Sequence, residues 1–292
     1  MSGRVNRNLV EQRVLSILKW ASLAFFVFIT AFPLVYMIAL SFKDIAKILQ
    51  EPSNFLPSWD EISGFETYRS VLRSDSEGGY GFVRFIKNSA IVALATVIIT
   101  VTLGTLAAYA AARLNFFGKR QISAIIVLVY LFPAIVLAIP LFVVFSRIGL
   151  RDSLAGLSIV YLAQTIPVAL YMLRTYFETV PKEIEEAAMA DGCGRLAVIR
   201  RVTLPLSAPA IASVSLYVFM IAWNEFLFAF LFLQAERDRW TLPLGLQQLD
   251  TAEVAKTVLM AGSVIISVPI IVLFFVAERF LTEGLTAGGV KG

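Results

Sequence analysis

The chain has 292 residues, 25 Lys+Arg against 21 Asp+Glu, and a formal net charge of +4 that is too small and too scattered for a nucleic-acid surface. It is 58% hydrophobic and 16% charged, whereas a soluble domain is about half apolar and about a quarter charged. No histidine and a single cysteine, Cys193, exclude histidine triads, histidine metal sites and an intramolecular disulfide.

Apolar runs of about 20 residues recur, the length that crosses a bilayer core of roughly 30 Å. Six predicted spans follow: 15–40, 88–112, 121–146, 154–174, 206–233 and 257–280. The chain therefore reads as an all-α polytopic membrane protein with six transmembrane helices. The first run follows Arg4, Arg7 and Arg13 but is too long for a signal peptide and lacks a small-residue cleavage site, so it reads as an anchor. Pro33, Pro133, Pro140, Pro167, Pro209 and Pro269 lie in the spans. They are either ordinary membrane-helix prolines or kinks around a central pathway.

Six spans place both termini on one side. The basic N-terminus and the short connection 113–120, with Arg113, Lys119 and Arg120, favour the cytoplasm under the positive-inside rule. The domain plan is a cytoplasmic segment 1–14, a membrane domain 15–280 and a cytoplasmic tail 281–292. The outer loop 42–87 carries Phe65, Tyr68, Val71 and Leu72 at helical spacing. That face could pack on the membrane surface or receive another protein.

The segment 180–205 (VPKEIEEAAMADGCGRLAVIRRVTLP) reads as helix, turn, helix. Pro181 suits a first helical position. Glu183, Glu185 and Glu186 favour the positive end of the helix dipole. Gly192 can adopt the left-handed conformation that ends a helix. Leu196, Ile199 and Val202 give the second helix an apolar edge. Such a hairpin could be packing, or a plug for a soluble partner.

In the fifth span Trp223, Asn224 and Glu225 are adjacent. A carboxylate at this depth is costly and faces a cavity or a partner. Three readings stand: a subunit-interface or gating contact, contact with a ligand through a stacking Trp223 and a hydrogen-bonding Asn224, or snorkelling to the interface.

Glu186-Ala187-Ala188, then three residues, Gly192, then nine residues and Val202-Thr203-Leu204-Pro205, resembles the EAA loop of ABC-importer permeases, with valine where the family has isoleucine. The resemblance implies an ABC type I importer permease fold. It also implies that Glu186, Ala187, Ala188, Gly192, Leu204 and Pro205 couple the chain to an ATPase.

The tail Gly284-Leu285-Thr286-Ala287-Gly288-Gly289-Val290-Lys291-Gly292 is similar to that of maltose-type carbohydrate permeases, in which it inserts between the ATPases. Phe132-Pro133, Trp223-Asn224 and Thr241-Leu242-Pro243-Leu244-Gly245 add to the likeness. The resemblance implies a bacterial inner-membrane subunit working by alternating access. Its partners would be a second, non-identical permease, two ATP-binding subunits, an extracytoplasmic substrate-binding protein and membrane lipid. No cofactor is expected in this chain. It has no Walker A sequence, so ATP and Mg belong to the partners. A secondary transporter or channel would instead call for membrane acids or inverted repeats.

Overall fold

The computed structural model describes residues 2–51 and 54–288, and no strand occurs among the described residues. The helices in chain order are α1 (Ser2–Ser41), α2 (Ile45–Gln50), α3 (Trp59–Gly64), α4 (Glu66–Leu72), α5 (Phe82–Arg113), α6 (Lys119–Leu131) and α7 (Ala134–Arg147). They continue with α8 (Leu154–Thr179), α9 (Lys182–Ala190), α10 (Arg195–Val198), a π turn Ile199–Thr203, α11 (Leu204–Leu206), α12 (Ala208–Asn224), α13 (Leu227–Leu233), α14 (Leu242–Gln247) and α15 (Lys256–Gly288).

Among the described residues four stretches are long and apolar enough to cross a bilayer: Glu11–Ser41, Phe82–Arg113, Leu154–Thr179 and Lys256–Glu278. A fifth arises if Arg195–Leu206 and Ala208–Asn224, bent by 81°, are taken together. The predicted count of six is thus not reproduced as six unbroken helices. The predicted span 121–146 divides into α6 and α7 at Phe132-Pro133. Proline lacks the N–H that would continue the ladder and disfavours helical angles at the residue before it. The predicted span 206–233 starts at Ala208 and is interrupted at Glu225, whose ψ of 124° is extended.

Two compact units separate along the chain. One runs up to Val71 and includes Leu249–Val264; the other is Leu72–Gln248 with the chain from Ile265 onward. In the first, Phe65 takes a left-handed φ of 50° and ends α3, so it is not on the helix that the sequence spacing predicts. Tyr68 and Val71 are on α4. The rings of Phe65 and Tyr68 lie 5.4 and 5.0 Å from Phe42, and the Tyr68 and Ser41 hydroxyls are 2.6 Å apart. α4 is therefore pinned to the end of α1.

The second unit is built on the pairing of α5 with α8. Lipid tails are as apolar as leucine, so close backbone approach and van der Waals packing replace the hydrophobic effect. Ser89, Ala93, Thr96, Thr100, Gly104, Ala108 and Ala111 form a buried stripe of small residues along α5. A Cβ on Gly104 would stand 3.3 Å from the Ala169 Cβ of α8. The buried Thr100 and Thr165 hydroxyls bond across the pair at 2.8 Å. Toward the C-terminal ends of this pair Ala108, Tyr109, Leu173 and Phe177 join Ile199 of the π turn and Val214 and Val218 of α12 in one core.

Candidate coupling site

The hairpin forms as a capped helix, a turn and a second helix. At the end of α9 the Gly192 N–H donates to Met189 O and the Cys193 N–H to Ala188 O, each at 3.0 Å. This is the Schellman pairing, which requires a left-handed residue. Gly192 supplies it with φ +88°, and nothing lies within 4 Å of where its Cβ would be. The glycine is thus needed for its backbone angle and not for space. Glu186 and Ala187 are exposed and Ala188 is half-buried. Ile184, Met189 and Leu196 are exposed beside them, Leu196 at 72%. A smooth apolar surface rimmed by charge therefore faces outward from the hairpin.

The opposite side is clamped. The Arg113 Nε–H at the end of α5 donates to Glu185 Oε2 at 2.9 Å, and Nη2 donates to Glu185 Oε1 at 3.2 Å and to Val180 O at 2.8 Å. The Thr203 hydroxyl donates to the same Oε1 at 3.1 Å. The two charged side chains are 6% and 3% exposed. A forked guanidinium–carboxylate pair fixes angle as well as distance. The Arg113–Glu185 pair thereby ties α9 to α5, the end of α8 and the π turn.

In the sequence Arg113 stands only as a topology signal and Glu185 as a charge favoured by the helix dipole. Their charge types and the first-turn position were visible, but the pairing, 72 residues apart in sequence, was not.

Leu204 packs against the α5–α8–α12 core, and Pro205 is exposed in α11. Proline offers no N–H to the Arg201 carbonyl. The ladder widens there, and the Leu204 N–H reaches Ile199 O, five residues back. At Ser207 the chain turns by 81° into α12.

Glu225 occupies the interruption between α12 and α13. Its Oε1 accepts from the Phe228 N–H at 2.9 Å and its Oε2 from the Ala229 N–H at 3.2 Å. The Tyr161 hydroxyl donates to Oε2 at 2.7 Å. A carboxylate here satisfies amides that a broken membrane helix leaves open. Trp223 is 3% exposed, stacks on Phe219 at 5.2 Å and donates its indole N–H to Ile266 O at 2.9 Å. Asn224 is exposed and donates to Met220 O on its own helix.

The backbone at Gly284, Leu285, Thr286 and Gly288 continues α15. Gly289 and Lys291 lie outside the described residues.

Residues 100–286 match the family described as binding-protein-dependent transport system inner membrane component. The chain is 38% identical over 275 residues to the inner membrane ABC transporter permease protein YcjP of Escherichia coli, covering 94% of this chain and 95% of that one. It is 36% identical to the trehalose/maltose transport system permease protein MalG of Thermococcus litoralis, covering 90% and 92%. It is 34% identical to the diacetylchitobiose uptake system permease protein DasC of Streptomyces coelicolor, covering 89% and 92%. Among solved structures, a chain of a bacterial ABC transporter that imports the acidic polysaccharide alginate superposes with a TM-score of 0.76 at 25% identity, covering 91% and 96%. With matches across nearly its whole length, the chain belongs to the family of binding-protein-dependent transport system inner membrane components, the permeases of ABC importers.

Proposed function

We propose that this chain is one of two non-identical permease subunits of an ATP-driven importer of an oligosaccharide or disaccharide in the bacterial inner membrane. The relatives named for trehalose, maltose and diacetylchitobiose support a sugar as cargo. The observation that carries the coupling role is the hairpin 180–205, free on its Glu186–Ala187–Ala188 face and clamped by Arg113–Glu185 on the other.

Two ATP-binding subunits close on ATP and Mg. The exposed face moves with them, and the clamp passes that motion to α5, α8 and α12. The pathway then alternates between the two sides of the membrane. Both termini are cytoplasmic, an extracytoplasmic binding protein delivers the sugar to the outer side, and residues 284–292 reach the ATPases.

The test is to tag this chain, purify it in mild detergent with its neighbours in the complex, and reconstitute it. The expected result is co-purification of an ATPase and a second permease, with sugar uptake that requires ATP and the binding protein. Uptake driven by an ion gradient without an ATPase would overturn the proposal.

A further inference from the structure

Two helix interruptions border one cavity. Phe132 stands at the break between α6 and α7 and Phe228 follows the Glu225 interruption, while Pro167 lies within the continuous α8. Phe132, Pro167 and Phe228 line this cavity of about 260 Å³, together with Tyr217 of α12 and Gln164 of α8. Irregular backbone at membrane depth is tolerated where it is buried in protein or lines a cavity, and secondary transporters place substrate sites at such broken helices near the midplane.

Depth can be read from helix rise. Gln164 is ten residues into α8, whose first residue is Leu154. At 1.5 Å per residue that is about 15 Å, half of a roughly 30 Å core.

The lining is mostly apolar with aromatic faces and one unused donor. The Gln164 Nε2 is buried and has no hydrogen-bond partner among the described residues. A buried amide left unpaired in apolar surroundings is costly, and such groups call for a functional explanation. Ligand sites combine apolar and aromatic walls with a few placed polar groups. The volume is below the roughly 300–1,000 Å³ of complete ligand pockets. It fits a part-site holding one ring of a larger cargo.

We propose that this cavity is a midplane contact for the transported sugar, with Gln164 donating to a sugar hydroxyl and Phe132, Tyr217 and Phe228 walling the ring. This rests on the sugar-import reading above. It moves the substrate contact from Trp223 and Asn224, whose polar groups bond to backbone carbonyls, to a donor that is unpaired.

The test uses the complete reconstituted complex with its binding protein and a panel of tritiated mono- and disaccharides. Wild-type uptake comes first. If no sugar is accumulated, the sugar-import reading falls and this inference falls with it.

For the accumulated sugar, Gln164→Leu is expected to lower uptake kcat/KM about tenfold, the value of one good neutral hydrogen bond. Binding-protein-stimulated ATP hydrolysis should persist, so sugar moved per ATP falls. A purely structural role would depress both together. Ala163→Trp puts bulk into the same cavity from an exposed lining position. It should block uptake while the complex still assembles and hydrolyses ATP, and it decides the matter if Gln164→Leu does not assemble. Wild-type sugar uptake per ATP in Ala163→Trp, or in an assembled Gln164→Leu, would overturn the proposal.

Discussion

Replacing Glu185 with alanine removes two of the three acceptors that hold the Arg113 guanidinium and leaves a cation 6% exposed. Opposite charges about 4 Å apart interact by about 4 kcal/mol at an effective dielectric near 20. Desolvation offsets much of that while both charges are present. Removing one partner of a buried pair therefore costs about 3–5 kcal/mol, whereas replacing both with apolar groups can be nearly neutral. Glu185→Ala and Arg113→Ala should each be strongly destabilising, and Arg113→Met with Glu185→Leu should recover most of the loss.

The assay is unfolding of the purified complex in mixed micelles, followed by intrinsic fluorescence and read as a double-mutant cycle, with ATP-driven uptake measured in parallel. The double variant is expected to assemble yet couple poorly, because the ties to Val180 and Thr203 go with the charges. Single effects that add to within about 0.5 kcal/mol would show two independent residues and refute the clamp.

Gly192→Val forces a β-branched side chain into φ +88° with no new clash. A strained backbone of this kind costs about 1–3 kcal/mol, and uptake and coupled ATP hydrolysis should fall while membrane insertion, checked by blotting, is unchanged. Cys193 should resist a membrane-impermeant maleimide in intact cells and react in inverted vesicles; labelling in intact cells would reverse the orientation. Gly104→Leu places bulk against Ala169 and should separate α5 from α8, lowering complex yield and thermal stability by detergent-resistance assay. Deleting 286–292 removes no span, so assembly should survive while ATP hydrolysis slows or loses its dependence on the binding protein; unchanged hydrolysis would make the tail passive.

The all-helical membrane class and the hairpin were legible because each is written locally. Long apolar runs mark the helices, and the αL demand at Gly192 is a matter of one residue. Pro133, in sequence either an ordinary membrane-helix proline or a kink, stands at a full break. The break at Glu225 has no proline or glycine to signal it. It depends on a side-chain cap and on Tyr161 from another helix, 64 residues away. The Arg113–Glu185 clamp was invisible for the same reason, since charge types are local and partners are not. The small-residue stripe on α5 was present in sequence at helical spacing, and packing in lipid gives it a meaning that hydropathy alone does not.

The 81° turn at Ser207 has a mechanical consequence. The arm Arg195–Leu206 holds 12 residues and α12 holds 17. At about 1.5 Å per residue these are levers of about 18 and 25 Å meeting at one elbow. If the elbow keeps its angle, a displacement of the short arm's tip is both redirected and enlarged by about 1.4-fold at Asn224, from the ratio of those helix lengths. Under the coupling proposed above, a push on the hairpin would become a swing of α12, and the stiffness of that elbow would set how much of it arrives.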